Sequence, residues 1–195
     1  MHLRTGGGGG GTPAAATGAS QARRSAGPTR KGIHMAGADR PIAEEDPFEL
    51  QRFVSAQDGV YDGALGELRS GKKRTHWMWY IFPQLDGLGH SATAKRFAIK
   101  SLAEAQAYLH HPLLGARLAE CAAAILALEG RSAADIFGFP DDVKLRSSMT
   151  LFAAIPGAAA VFRHILEKYY RGQRDATTLQ LLDATAESRD QRAAL

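Results

Sequence analysis

The chain has little cysteine and no long apolar run, and each shortage excludes a class of protein. Its single cysteine, Cys121, cannot form an intramolecular disulfide, which excludes a small secreted scaffold stapled by disulfides. No apolar run approaches the roughly 20 residues that a membrane-spanning helix needs. The first residues lack the apolar core of a secretory signal. We therefore expect a protein of a reducing compartment, the cytoplasm, with no membrane partner.

Glycine and arginine are abundant near the start of the chain. Residues 6–11 are all glycine, and residues 1–40 hold six basic residues against one acidic residue, an imbalance larger than the net charge of +4 of the whole chain. We expect a disordered tail over residues 1–44, because nothing bulky and apolar offsets the entropy of ordering it. A start of translation at Met35 is favoured over a phosphate-binding arm or a transit peptide. The remaining chain is slightly acidic, so nucleic acid is not an expected partner of the folded domain.

Residues 45–187 show the apolar periodicity and the end signals of short helices. Asp46 is placed to cap the first helix, and capping boxes begin at Ser101 and Ser132. Prolines and glycines separate the apolar stretches. The pattern predicts an all-α fold, a compact single domain of about seven to nine short helices, followed by a frayed terminus over residues 188–195.

One stretch, HWMWYIF at residues 76–82, does not read as an amphipathic helix. Its run of bulky residues predicts a segment buried on all sides, either a short strand or an extended plug near the centre of the core. In an extended segment His76 would share a face with Met78 and Tyr80, and the two tryptophans would share the other face.

Four strings of the chain resemble a known family, together with Gly172, Asp175, Thr178 and Leu179 near its end. The strings are RFVSAQ (52–57), KRTHWMWYIFPQ (73–84), GLG (87–89) and KLRSSMTLF (144–152). The combination resembles the bacterial domain of unknown function 1810 family over about residues 47–185. The resemblance implies a small, mainly α-helical domain that usually stands alone, and it implies no reaction and no catalytic residues. Members are often labelled calpastatin, whereas a calpain inhibitor of that type is a disordered repeat protein and this pattern predicts a folded domain.

The strongest candidate for chemistry is Lys144 with the hydroxyl residues Ser147, Ser148 and Thr150. On a helix, Lys144, Ser147 and Ser148 share one face. One ammonium beside two hydroxyls can hold a phosphate or a carboxylate. Three interpretations stay open: a polar helix face that binds nothing, an anion site, and a serine nucleophile with the lysine as its base.

A second candidate is the basic entry into the aromatic segment, with Lys73 and His76 leading to Trp77 and Trp79. Cations beside aromatic rings can hold a nucleobase and its phosphates, and a histidine can act as an acid or a base. The alternative is a solvated loop followed by core aromatics. Gln84, in the loop that follows, offers a further polar contact.

No spacing typical of a metal or cofactor site is present. His110 and His111 point apart on a helix, and Cys121 has no cysteine partner. The glycines at 87 and 89 lack the spacing of a dinucleotide fingerprint. We therefore expect neither a metal nor a cofactor.

Our leading hypothesis is a pocket between helices, walled by residues 76–80, with Lys144, Ser147, Ser148 and Gln84 as its polar ends. Its expected ligand is a small anionic metabolite that carries phosphate, for instance a nucleotide or an ADP-ribose derivative. Whether the pocket also hydrolyses its ligand stays open. The competing hypothesis is a protein-interaction module without chemistry, whose partners the sequence does not name.

Overall fold

The computed structural model describes the backbone of residues 46–193 and the side chains of residues 46–186. Within this part of the chain there are ten helices and no strand, and one parallel β-bridge pairs Leu85 with Ile99. The helices are α1 (Gln51–Gln57), α2 (Tyr61–Arg69), α3 (Met78–Ile81), α4 (Ala92–Arg96), α5 (Leu102–His110), α6 (Leu114–Leu126), α7 (Ala133–Phe137), α8 (Asp141–Ala153), α9 (Val161–Tyr170) and α10 (Ala176–Ala193). The all-α class is confirmed, with more helices than expected because the aromatic segment supplies one of its own. The predicted tail over residues 1–44 lies outside the described residues.

Acceptor side chains fix several of the helix starts. The Asp46 carboxylate accepts hydrogen bonds from the backbone N–H groups of Leu50 and Gln51 at 2.7 and 2.8 Å. Ser132 and Asp135 form a complete capping box at the start of α7. These bonds satisfy amide groups that have no partner inside the helix. The start predicted at Ser132 is confirmed. Asp46 is not the N-cap of α1, because that helix begins at Gln51 after Leu50 and Asp46 bonds to it from the preceding turn.

Helix α8 runs through the core and packs against α5, α7, α9 and α10. Leu145, Met149 and Phe152 are fully buried on it, as their spacing predicts. Ser147 and Ser148, on the face that we expected to be polar, are also buried. Because neighbouring helices cover α8 on several sides, only part of its predicted polar face reaches a cavity.

The aromatic segment is a one-turn helix, α3, so the prediction of a strand or an extended plug is wrong. The N–H groups of Ile81 and Phe82 donate to the carbonyls of Trp77 and Met78 at 3.2 and 3.0 Å. No described strand lies alongside to pair with the backbone, so the segment satisfies its polar groups by turning on itself. The predicted burial is confirmed for Trp77, Met78, Ile81 and Phe82.

The predicted alternation of faces along residues 76–80 is also wrong, because it assumed an extended conformation. Trp77 is 0% exposed, Trp79 is half-buried, and His76 is exposed to solvent. A helical turn points successive side chains about 100° apart, so the two tryptophans cannot share a face. They lie in different surroundings, one inside the core and one at its edge.

The last helix, α10, continues to Ala193, and the expected fraying of residues 188–195 stays a prediction. Across residues 46–193, no helix combines the length and the apolar character required to cross a membrane.

Candidate functional site

A carboxylate on α2 orders the loop that enters the aromatic segment. Glu67 accepts hydrogen bonds from the N–H groups of Arg74 and Thr75, from the Thr75 hydroxyl and from Trp77 Nε1, at 2.7 to 3.1 Å. Burial alone would raise the pKa of Glu67, but these four donors outweigh it and lower the pKa from 4.5 to about 2. The loop is therefore held against α2, and with it Lys73 is held in place.

Lys73, Asp141 and Lys144 form a cluster at the first turn of α8, called here the lysine–aspartate cluster. The Asp141 carboxylate contacts Lys73 Nζ at 2.7 Å and Lys144 Nζ at 2.6 Å. Burial would raise the pKa of Asp141, but the hydrogen bonds and charges of the two lysines hold it below its ordinary value. Each ammonium also lies over an indole ring, Lys73 over Trp77 at 5.1 Å and Lys144 over Trp79 at 4.7 Å. Two cations on one carboxylate leave one positive charge without a partner inside the cluster.

A pocket of about 500 Å³ adjoins this cluster, between the α3–α4 connection, the first turns of α8 and the start of α10. Its lining residues are Trp79, Gln84, Leu88, Gly89, His90, Ser91, Ala94, Phe139, Pro140, Val143, Lys144, Ser147, Asp175 and Thr177. Four of the residues predicted for the site therefore come together here. The volume falls within the range of small-molecule sites.

The negative charge of Asp175 in the pocket wall is already engaged. Its carboxylate accepts hydrogen bonds from the backbone N–H and the hydroxyl of Thr178 at 2.9 and 2.7 Å. Arg146 Nη2 lies 3.6 Å from its other oxygen. The charge that the pocket can offer a ligand is consequently the positive charge of Lys144.

The remaining predicted residues lie outside the lining. Ser148 is fully buried, and its hydroxyl has no hydrogen-bond partner among the described residues. Thr150 donates to the Arg146 carbonyl and accepts from the Asp175 N–H. Both are buried in the packed interior of the helical domain, so Ser148 does not reach the pocket with Lys144 and Ser147, as the expected polar face would have allowed. Lys73 and Trp77 lie behind the pocket, and His76 is exposed outside it.

The geometry does not pair the lysine with a serine. The Ser147 hydroxyl donates to the Val143 carbonyl at 3.3 Å, and the Lys144 ammonium is ion-paired with Asp141. A lysine that acts as a base must be neutral and must reach the hydroxyl. This arrangement suits the anion-binding interpretation and gives no support to the nucleophile.

Sequence reasoning missed two residues that shape the site. It did not place Asp141 in the site, although the three-residue spacing to Lys144 on a helix is a signal for an ion pair. It did not single out Phe139, which lies at the rim of the pocket and is 86% exposed. An exposed phenylalanine has no sequence signal, because the pattern of a loop does not tell which apolar side chains face solvent.

These features define a small helical domain with a pocket lined by both polar and apolar side chains. The model of the family described as protein of unknown function DUF1810 matches residues 47–182, and the chain belongs to this family. Among solved structures, the conserved hypothetical protein Rv1873 from Mycobacterium tuberculosis is similar, with a TM-score of 0.70 and 56% sequence identity over 71% of this chain and 99% of that chain. No curated protein matches the chain. The family resemblance expected from the motifs is confirmed.

Proposed function

We propose that the domain binds a small anionic ligand that carries phosphate in the pocket beside α8. The observation that carries this proposal is the lysine–aspartate cluster, in which Asp141 has two lysines as partners. The nearest carboxylate in the wall, Asp175, is occupied by Thr178 and Arg146. A ligand with negative charge supplies the partner that the cluster lacks.

The two lysines have different parts in such a site. The Lys144 side chain is 21% exposed and lines the pocket, whereas the Lys73 side chain is 8% exposed and donates to the Thr75 carbonyl as well as to Asp141. An ammonium has three donors, and Asp141 takes one of those on Lys144. Lys144 is therefore the contact for the anion, and Lys73 supports it by sharing the carboxylate.

The rest of the lining favours a ligand larger than a free anion. Gln84, Ser91 and Thr177 provide further polar side chains, and Leu88 and Val143 provide apolar surface. A pocket of about 500 Å³ leaves most of its volume empty around a bare phosphate. Nucleotides and ADP-ribose derivatives, the ligands suggested by the sequence, both belong to the class that fits.

The test compares ligand-induced stabilisation of the full chain with that of two charge variants. Lys144→Met removes the contact and keeps the length of the side chain, while Asp141 keeps Lys73 as its partner. Lys95→Met removes one positive charge from α4, outside the pocket lining, and is the matched control. The ligands tested are inorganic phosphate, ribose 5-phosphate, AMP and ADP-ribose, and the stabilisation by each is measured by thermal unfolding.

We expect the wild type and the Lys95→Met variant to be stabilised by at least one organic phosphate, by about 2.7 kcal/mol at 100 times the dissociation constant. The Lys144→Met variant should fold and lose this stabilisation. A panel without any shift, or an equal shift in Lys144→Met, would overturn the proposal. In that case the exposed apolar side chains of Phe139 and Val143 beside the pocket would favour the competing hypothesis, a protein-interaction module.

A further inference from the structure

Phe139 has an unusual position at the rim of the pocket. Its side chain is 86% exposed, whereas the next most exposed large hydrophobic residues among those described, Val143 and Leu113, are 40% and 36% exposed. Val143 lines the same pocket one turn into α8. The most exposed apolar surface of the described part therefore lies beside the pocket and not elsewhere on the domain.

The exposed ring is not explained by packing of the fold. The aromatic contacts of the described core join Phe53, Phe97, Tyr108, Phe152 and their neighbours, and Phe139 takes part in none of them. An isolated ring in water gains free energy when a second apolar or aromatic surface covers it. Such a residue at the mouth of a ligand pocket is well placed to contact the ligand.

We infer that the ligand is a nucleotide, whose base stacks on Phe139 while its phosphate binds Lys144. The inference rests on the proposed function. Phe139 lies just before α8 and Lys144 lies five residues later in its first turn, and both line the same pocket. The pocket thus offers an aromatic surface and a cation to a single small molecule.

The second ring of the pocket is less suited to stacking. The Lys144 ammonium already lies 4.7 Å from the centre of the Trp79 ring, and the indole is half-buried against the core. Phe139 has no such neighbour among the described residues. Stacking on a phenylalanine accepts any nucleobase, because every base has a π-face. Phe139 therefore selects for the presence of a base and not for its identity.

The experiment measures the contributions of the base and of the phosphate to affinity separately. The full chain is titrated calorimetrically with AMP, ribose 5-phosphate and adenosine. Phe139→Leu removes the aromatic face and keeps an apolar side chain, and because the residue is exposed the variant should fold. Leu113→Ala, at an exposed apolar position outside the pocket, is the control. Lys144→Met serves as the variant for the phosphate.

We expect the wild type to bind AMP more tightly than ribose 5-phosphate. Phe139→Leu should weaken AMP about 10-fold and leave ribose 5-phosphate unchanged, whereas Lys144→Met should weaken both. Equal affinity for AMP and ribose 5-phosphate, or an effect of Phe139→Leu on neither or on both, would overturn the stacking role while Lys144-dependent phosphate binding stands. If none of the phosphate compounds binds, the proposed function fails and this inference fails with it.

Discussion

The Lys73 ammonium and the Asp141 carboxylate lie 2.7 Å apart, and this ion pair fastens the loop before α3 to the first turn of α8. Lys144 joins the same carboxylate from within α8 at 2.6 Å. The cation that we assign to ligand binding is therefore positioned by a contact between distant parts of the chain. The carboxylate links the stability of the domain to the geometry of its pocket.

Asp141→Asn should destabilise the domain, because it removes the negative charge that pairs with the ammonium groups of Lys73 and Lys144, whose side chains are 8% and 21% exposed. Breaking a buried ion pair is strongly destabilising, and the partial exposure of Lys144 and Asp141 reduces the effect. We expect a loss of about 1–3 kcal/mol in the free energy of unfolding, measured by urea denaturation at pH 7.

The matched control for this variant is Asp142→Asn. Asp142 is the neighbouring residue of the same turn and forms no ion pair among the described residues, with one carboxylate oxygen that is buried without a hydrogen-bond partner. Its replacement breaks no ion pair, so it should not reproduce the loss of stability expected for Asp141→Asn. Equal effects of the two substitutions would mean that the ion pairs of Asp141 contribute nothing specific.

Glu67 should make the stability of the domain fall in acid. Its pKa is about 2 in the folded chain, below its ordinary 4.5, because four hydrogen bonds to the carboxylate outweigh its burial. A carboxyl group with a lowered folded-state pKa contributes its full stability above pH 4.5 and loses it as the pH falls towards 2. Glu67→Gln should therefore cost about 1–3 kcal/mol at pH 7 and clearly less at pH 3, as measured by urea denaturation.

The control for the pH dependence is Glu167→Gln, on the exposed side of α9. This residue receives no comparable set of hydrogen bonds, so its replacement should have the same small effect at both pH values. A difference between wild type and Glu67→Gln that stayed constant from pH 7 to pH 3 would show that the carboxylate does not titrate with a lowered pKa.

Local signals predicted most of the helices, because caps and apolar spacing act within a few residues. The spacing on α8 correctly placed Leu145, Met149 and Phe152 in the core. It could not tell which of the remaining positions face a cavity and which face another helix. Ser147 lines the pocket and Ser148 is sealed inside the packed domain, although both were expected on one polar face.

The parts of the site that the sequence did not predict depend on contacts between distant segments. The contact between Asp141 and Lys73 joins α8 to the loop that Glu67 holds, and no periodicity in the sequence indicates that contact. The conformation of the aromatic segment, residues 76–82, also depends on distant parts of the chain. A run of bulky residues predicts burial, whereas the choice between a strand and α3 depends on whether a neighbouring strand is available.

Cys121 should be almost unreactive in the native protein. It is fully buried on α6, and burial, with a further contribution from the charge of Glu120, raises the pKa of its thiol to about 12. Because the thiolate is the reactive species, labelling by a thiol reagent at pH 8 should be at least about 100-fold slower in native than in urea-unfolded protein. Cys121→Ala provides the blank. Equal rates in the two states would contradict the burial of this side chain.

Gly115 on α6 lies too close to the backbone of α5 for a side chain to fit, and Gly115→Ala should destabilise the domain. An added Cβ would lie 1.9 Å from the carbonyl oxygen of Leu109, a backbone atom that can move only if the two helices separate. We expect a loss of about 1–3 kcal/mol or more by urea denaturation. Gly66→Ala is the matched control, because its Cβ would meet nothing within 4 Å on α2. There the substitution should stabilise the helix by up to about 1 kcal/mol, so effects of opposite sign are expected and effects of the same sign would contradict the close approach at Leu109.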